Sequence, residues 1–525
     1  MLRKDYAVWQ CGNYEISLSR PRIMGVVNVT PDSFSDGGQH ICAEDAISYG
    51  LDLLDAGADI IDVGGESTRP GFTPVSPEEE ASRVVPVVRA LAEAGAIVSI
   101  DTRHASVAKM CVRLGASIIN DVTGFTDPEM IQVAADSGAG CIVMHAGEVS
   151  GRVPRRSVTL DTTAQAREMR QAAKKGIDET NASLDLSQEE EAVELATTKT
   201  TPQLDEVMKK SARGYGSSVV HLASGRRFTL PEEAPIMRQI MGFLGDRARD
   251  LVRAGVSRER ICIDPGAGFG KYADEDVVIQ RATAKLSSMG YPLMCAVSRK
   301  RLIGAVSGVY NPADRDDATI GVCLSAINSG ARILRVHDVE GVAQAVNSYW
   351  AVSQSDPRRA FIALGSNTGD KMGYLKSAVQ AINDLALTCV IGVSDAYDTE
   401  PAYGIATSVV DAVVEIRTEL APLVLMDALL GIEASMGRVR DSAQNHCGPR
   451  TIDLDLLWME GEYHAGRKLQ LPHPRLGERD FVLVPMKDLM HDPDRFFKHE
   501  GVRVLDQEFR VGKVTENLGQ IDWEA

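Results

Sequence analysis

Asp453 and Asp455 stand two residues apart in the run TIDLDLLWM, where an extended chain turns both carboxylates to one face. Two oxygen-bearing side chains so placed can hold divalent cations, the usual demand of phosphoryl-transfer chemistry. Cations suited to phosphate lie nearby: Arg438 and Arg440, which share a face if extended, then Arg450, His473 and Arg479. A second set of reactive residues lies far upstream. Asn28, Ser67, Asp101, Asn120, His145, Asp264, Ser298, Lys300, Arg335 and His337 each close or follow a short apolar run. Arg335 and His337 alternate along one run, so both project to the same side. Polar groups gathered at the ends of apolar runs point to an enzyme.

The runs themselves are IMGVVNVTPD, ADIIDVGGESTRPG, AIVSIDTR, ASIINDV, GCIVMH, RICIDPGAGFGK, LMCAVSRK and ILRVHD. Continuous apolar runs of this length suit strands buried on both faces, as in a parallel sheet. Amphipathic stretches such as AEDAISYGLDLLDAG and HASVAKMCVRLG separate most of them. Eight strand–helix units predict an α/β chain whose first part is a closed (β/α)8 TIM barrel with its active site at the strands' C-terminal ends. From Phe361 a different order starts, βαββαβ, which predicts a smaller ferredoxin-like α+β domain. The boundaries that follow are a barrel at 1–350, a polar linker at 351–359, a second domain at 360–497 and an extension at 498–525.

Composition agrees with two domains. At 525 residues the chain exceeds one core, and its formal net charge of −17 argues against nucleic acid or an anionic membrane as partner. Nine scattered cysteines without a C-x-x-C pair read as reduced thiols in a cytosolic protein, and no apolar stretch is long enough to span a membrane. A polar insertion at about 147–228 interrupts the barrel after its fifth strand, where connections are usually short. It reads as a surface excursion in preference to a lid. Replacing Glu148 to Arg226 with a short Gly/Ser linker is therefore expected to preserve most barrel activity, since closing a longer loop costs only ~0.6 kcal/mol per doubling. A large loss of kcat in a folded variant would assign the segment a catalytic role instead.

The ordered set MGVVNVTPDSFSDGG, GGESTRPG, SIDT, IINDV, DPGAGFGK, VSRK and RVHD resembles the dihydropteroate synthase family, over about Met24 to Ser348. That resemblance implies condensation of p-aminobenzoate with a dihydropterin methylene, expelling pyrophosphate. It assigns the pterin to Asp264, whose carboxylate can accept the parallel donors of the pterin edge, with Asn120 and Lys300 on other edges. Pyrophosphate falls to Arg335, His337, Thr68 and Asn28, the last also a Mg²⁺ ligand. Asp101 stabilises charge developing on the methylene. Phe34, Thr68, Arg69, Pro70 and Ser298 form the p-aminobenzoate pocket, the one sulfonamides occupy in the family. His145 reads equally as a structural histidine or a substrate contact.

FIALGSNTGD, YDTEP, GRVR, GPRTIDLDLL and LPHPRLGERDFVLVP resemble the 6-hydroxymethyl-7,8-dihydropterin pyrophosphokinase family. By that resemblance Asp453 and Asp455 hold Mg²⁺ on ATP, while Arg438, Arg440, Arg450, His473 and Arg479 bind the phosphates. Thr399, Asp411 and Phe481 face the pterin. The pattern departs from the family after YDTEP: Val409 replaces a stacking aromatic, Asp411 an asparagine, and Cys447 stands where an aromatic or polar group is common. The two resemblances together imply a bifunctional folate-pathway enzyme and, from the barrel family, a homodimer. Two other readings stay open: a synthase with a non-catalytic second domain, and a pterin barrel for methyl transfer.

Overall fold

The computed structural model describes residues 8–30, 43–66, 74–147, 234–271, 273–405, 407–438 and 448–524. Phe34, Ser67, Thr68, Arg69, Pro70, Arg440, Cys447 and residues 148–233, which take in the insertion after Gly147, lie outside the described residues.

A hairpin of β1 (Val8–Cys11) and β2 (Tyr14–Ser17) leads into β3 (Arg22–Asn28). Then follow β4 (Ile60–Gly64), β5 (Val98–Asp101), β6 (Ile118–Asp121), β7 (Gly140–Met144), β8 (Ile261–Asp264), β9 (Met294–Cys295) and β10 (Ile333–Val336). The eight strands from β3 are all parallel, in the order β8-β7-β6-β5-β4-β3-β10-β9. A bridge from Ile263 to Leu293 and a 2.9 Å bond from Ile263 N to Pro292 O join the two ends. The apolar runs thus form the expected barrel, and helices between them cover its outside. The helix Pro128–Ser137 shows how local sequence sets its limits. Asp127 accepts a hydrogen bond from Glu129 N, Pro128 occupies the first turn, and Gly138 ends it at φ +74°.

Side chains alternate in and out along each strand. Met24, Ile60, Ile118, Ile142, Cys262, Met294 and Ile333 form one apolar layer inside the barrel, packed with Trp9, Cys11, Ile16 and Leu18 of the hairpin. Trp9 is fully buried, and its indole donates to Arg260 O at 3.0 Å. The hairpin therefore closes the barrel's N-terminal end. Two residues further along several of these strands, the inward positions become Asp62, Asn120, Asp264 and Arg335. The polar layer sits directly on an apolar floor.

The second domain begins with β11 (Arg358–Ser366), then β12 (Thr388–Val393), β13 (Ala396–Thr399), β14 (Val409–Thr418) and β15 (Asp453–Met459). After the short pair β16 (His464–Ala465) and β17 (Gln470–Leu471), β18 (Val514–Gly519) completes the strands. The sheet runs β15-β11-β14-β13-β18, with β12 also on β14. Its pairs are antiparallel, as a ferredoxin-like sheet requires. Helices Lys371–Asn383 and Pro422–Ser435 pack on one face, burying Leu375, Val379, Ile382, Leu425 and Leu429. Phe361, Val413, Leu476, Val482, Met486 and Phe497 fill the other.

Two readings of this domain need correction. The single strand expected from CVIGVSDAY is two, β12 and β13. Ser394 lies between them, its Oγ accepting a hydrogen bond from Val413 N at 2.9 Å while its own N donates to Val413 O. The segment read as an extension after residue 497 supplies β18, which pairs with β13.

The two domains meet at the barrel's base. Glu462 is 2 % exposed, and its carboxylate accepts from Arg20 at 2.8–2.9 Å, from Arg22 at 2.5 Å and from Arg358 at 2.5 Å. Asp59 shares Arg20 and Arg22. Burial alone would raise the Glu462 carboxyl, yet Arg20, Arg22 and Arg358 hold it well below the ordinary carboxylate range. Arg467 adds a more exposed pair with Asp52 and Asp55.

Candidate active sites

At the barrel mouth the structure brings most of the predicted residues together. Arg335 Nε meets Asp62 Oδ2 at 2.6 Å and its Nη2 meets Asp101 Oδ2 at 2.8 Å. Asn120 Nδ2 lies 3.3–3.4 Å from both Asp62 oxygens. Burial pushes the Asp101 carboxyl up to about 7 against the pull of Arg335, with Asp62 adding to the rise. Asn28 belongs to the same cluster. A β-carbon built on Gly64 would lie 3.5 Å from Asp101 Cβ and 3.8 Å from Asn28 Oδ1, so the two side chains flank one spot.

Asp264 is buried at the end of β8, and its Oδ1 accepts from Gly266 N at 2.7 Å. The backbone here needs glycine: Gly266 has φ +67°, and a β-carbon would fall 2.1 Å from His145 O. Burial raises the Asp264 carboxyl, while Lys300 lowers it. Lys300 in turn is lowered by burial; its Nζ donates to Ala267 O at 2.7 Å and lies 4.6 Å from the Phe269 ring centroid. Ser298 Oγ and His337 Nδ1 are 3.0 Å apart. His145 packs edge-on against Phe243, and burial together with Lys271 lowers it to about 4, so it is neutral near pH 7.

Asp62 and Lys271 escaped the sequence reading. Asp62 is fully buried within the run IIDVG, and a charge inside such a run signals a paired, interior group. Lys271 donates from Nζ to the carbonyls of His145, Gly266 and Phe269 at 2.7–3.1 Å, tying the DPGAGFGK loop to β7.

In the second domain a cavity of about 220 Å³ opens where β14 and β15 begin and β11 ends. Asp453 and Asp455 line it. Asp453 is paired with Arg438 and Arg450, and Asp455 with Arg479 at 2.8 Å. Burial would raise Asp453, but the two arginines bring it below its ordinary value. His473 lies 3.9 Å from Asp455, and burial followed by the Arg479 charge lowers it to about 4. Glu433 accepts from Arg438 and from Leu454 N, fixing the arginine relative to the strand.

The same cavity is lined by Thr399, Tyr403, Val409, Asp411 and Phe481. Thr399 Oγ1 donates to Asp411 Oδ2 at 2.5 Å, and burial pushes Asp411 up to about 7 despite that bond. Tyr403 is an addition that the sequence reading lacked. Its OH donates to Glu478 at 2.7 Å, and the guanidinium of Arg479 lies 5.7 Å from its ring and 5.4 Å from that of Phe481.

The profile of the pterin binding enzyme family matches residues 24–191 and 157–337, more than half of the chain. The profile of 7,8-dihydro-6-hydroxymethylpterin-pyrophosphokinase matches residues 361–491. A dihydropteroate synthase of Neisseria meningitidis serogroup C is 32% identical over 349 residues, which is 66% of this chain and 97% of that protein. One from Bacillus subtilis is 32% identical over 324 residues, 61% of this chain and 85% of its own length. Among solved structures, a Xanthomonas albilineans dihydropteroate synthase with 4-aminobenzoic acid is 30% identical, covering 67% of this chain and 100% of its own, at a TM-score of 0.49. No helix among the described residues is long and apolar enough to cross a membrane. The chain belongs to the pterin binding enzyme family, as a dihydropteroate synthase barrel fused to a 7,8-dihydro-6-hydroxymethylpterin-pyrophosphokinase domain.

Proposed function

We propose that the second domain activates a hydroxymethyl-dihydropterin and the barrel consumes the product. In the first step the pterin hydroxyl oxygen attacks the β-phosphorus of ATP, AMP leaves, and the hydroxyl proton is released. In the second, the amine of p-aminobenzoate attacks the methylene, the carbon–oxygen bond breaks, pyrophosphate leaves, and the amine gives up one proton. The product is 7,8-dihydropteroate. The observation that carries the reading is one chain holding both a buried Asp–Arg–Asn–Lys cluster at a barrel mouth and a carboxylate pair ringed by arginines.

Within the barrel, Asp264 accepts the donors of the pterin edge, while Asn120 and Lys300 take other edges. Asp62 holds Arg335 in place for the leaving pyrophosphate, which His337 also meets. Asp101 offers charge to the developing cation, at the cost of sharing Arg335. Ser298 is oriented by His337 towards the p-aminobenzoate carboxylate.

In the second domain, Arg438, Arg450 and Arg479 turn from the carboxylates to the triphosphate. Asp453 and Asp455, and Asn28 in the barrel, are hard oxygen donors that fit Mg²⁺, which when bound would neutralise phosphate charge. Asp411 accepts the pterin's paired donors. Tyr403 supplies the ring face that Val409 lacks, in the cavity that Phe481 also lines. Tyr403→Ala should accordingly raise the KM for pterin about two- to tenfold, the worth of one aromatic stack, and leave the KM for ATP unchanged. Tyr403→Phe should retain both; equal losses in the two variants would assign the effect to the Glu478 bond.

The same reading places the protein in the cytosol as a homodimer through the barrel, which sedimentation would check. Purified protein given hydroxymethyl-dihydropterin, ATP, Mg²⁺ and p-aminobenzoate should form dihydropteroate. Product formed only when the diphosphate ester is supplied would show that the second domain is a scaffold.

A further inference from the structure

We infer that the diphosphate ester is released to solvent between the two steps, because the two sites open at opposite ends of the chain's fold. The inference rests on the two-step reading above. The barrel's reactive groups cluster around the C-terminal ends of its strands: Asn28, Asp101, Asp264 and His337. The second domain touches the other end, where Glu462 pairs with Arg20 just before β3 and with Arg22 at its start. Its own sheet repeats the arrangement. Arg358 at the start of β11 pairs with Thr418 at the end of β14, next to Glu462, whereas Gly365, Asp411 and Asp453 pair at the far end, where the cavity opens. The docking surface therefore lies at the back of both sites.

Among the described residues the interior offers no passage either. Below the polar layer the barrel is filled by Met24, Ile60, Ile118, Ile142, Cys262, Met294 and Ile333. Beneath these sit Trp9 and Cys11, both fully buried. Between hairpin and second domain stands the Arg20–Arg22–Asp59–Arg358–Glu462 network, and Tyr14 packs edge-on against Tyr463. At ~3.3 Å per residue, the seven residues of β3 and the nine of β11 together make roughly 50 Å of strand between the two mouths. Among the described residues a charged, hydrated ester finds an apolar, filled interior along that distance.

The full-length chain decides the question by isotope dilution. With labelled hydroxymethyl-dihydropterin, ATP, Mg²⁺ and p-aminobenzoate, added unlabelled ester should dilute the label in dihydropteroate in proportion to its ratio over the ester formed. Dihydropteroate should also appear after a lag while free ester accumulates. Label that resists dilution by excess ester would overturn the inference, whether transfer ran within one chain or between chains. Mixing is an independent arm: Asp455→Asn and Asp264→Ala chains, each inactive in one step, should together match wild type at equal concentrations of working sites. A mixture far slower than wild type would also overturn it. Ester formation by wild type alone is measured first, and its absence would refute the two-step reading itself.

Discussion

Asp453→Asn and Asp455→Asn should each remove pyrophosphokinase turnover while the barrel's use of supplied ester stays at wild-type rate. Both residues line the cavity and face the same side of β15, and their charges are balanced by Arg438, Arg450 and Arg479. An amide keeps the shape but halves the oxygen donors and removes the negative charge. Loss of one preorganised electrostatic contact commonly costs about 10²–10³ in kcat, and here two arginines on Asp453 would be left facing each other without their counter-ion. The synthase is spared because its groups belong to another core, joined to this one, among the described residues, at the barrel base. The check is to follow AMP formation and dihydropteroate formation from supplied ester in the same preparations. Kinase activity surviving within tenfold of wild type would mean that these carboxylates do not carry the step.

Glu462→Gln should be the most destabilising single change at the domain interface. Its carboxylate satisfies three buried arginines, and removing one partner of such a set costs about 3–5 kcal/mol, because the remaining charges stay buried. Glu460→Gln is the comparison: its pair with Arg417 is half exposed, and such pairs contribute about 0–1 kcal/mol. Denaturant unfolding of the two variants reads the difference directly, and equal midpoints would refute the assignment. The pH dependence has a definite sign. Because the folded Glu462 carboxyl lies below its ordinary value of about 4.3, its stabilisation is complete above that pH and is lost as the pH falls below it. A barrel truncated near Gln354 loses Glu462 while keeping Arg20, Arg22 and Asp59. It should still turn over supplied ester and be inhibited by sulfonamide, but unfold at lower denaturant than the full chain.

The barrel was legible because each of its strands is a short apolar run ended by a polar, chemically useful group. Buried strands leave no other place for such residues than the mouth, so Asn120, Asp264 and Arg335 could be found without coordinates. Asp62 was not, because it stands inside a run and its partner Arg335 is 273 positions away. Glu462 is the same case at a separation of 440. Nothing local marks a glutamate after a strand as the keystone of another domain's arginines. The strand β18 was missed for a different reason. VTENLG lies at a sheet edge, largely exposed on both faces, and carries no alternation to read. Tyr403 lies in a loop whose sequence departs from the family pattern, so no motif pointed to it.

The position of β18 has a consequence for how the protein is made. It pairs with β13, and β13 carries Thr399, which holds Asp411. This edge strand is translated after every other strand of its sheet, whereas the barrel's last strand is finished at Val336. Domains generally fold as they emerge, the N-terminal one first. On the ribosome, then, the barrel can close while the kinase sheet still lacks its border. The catalyst of the later reaction is assembled before the catalyst of the earlier one, and a nascent chain stalled before residue 514 would carry a barrel with all its strands beside a sheet whose β13 edge is still open to unwanted pairing.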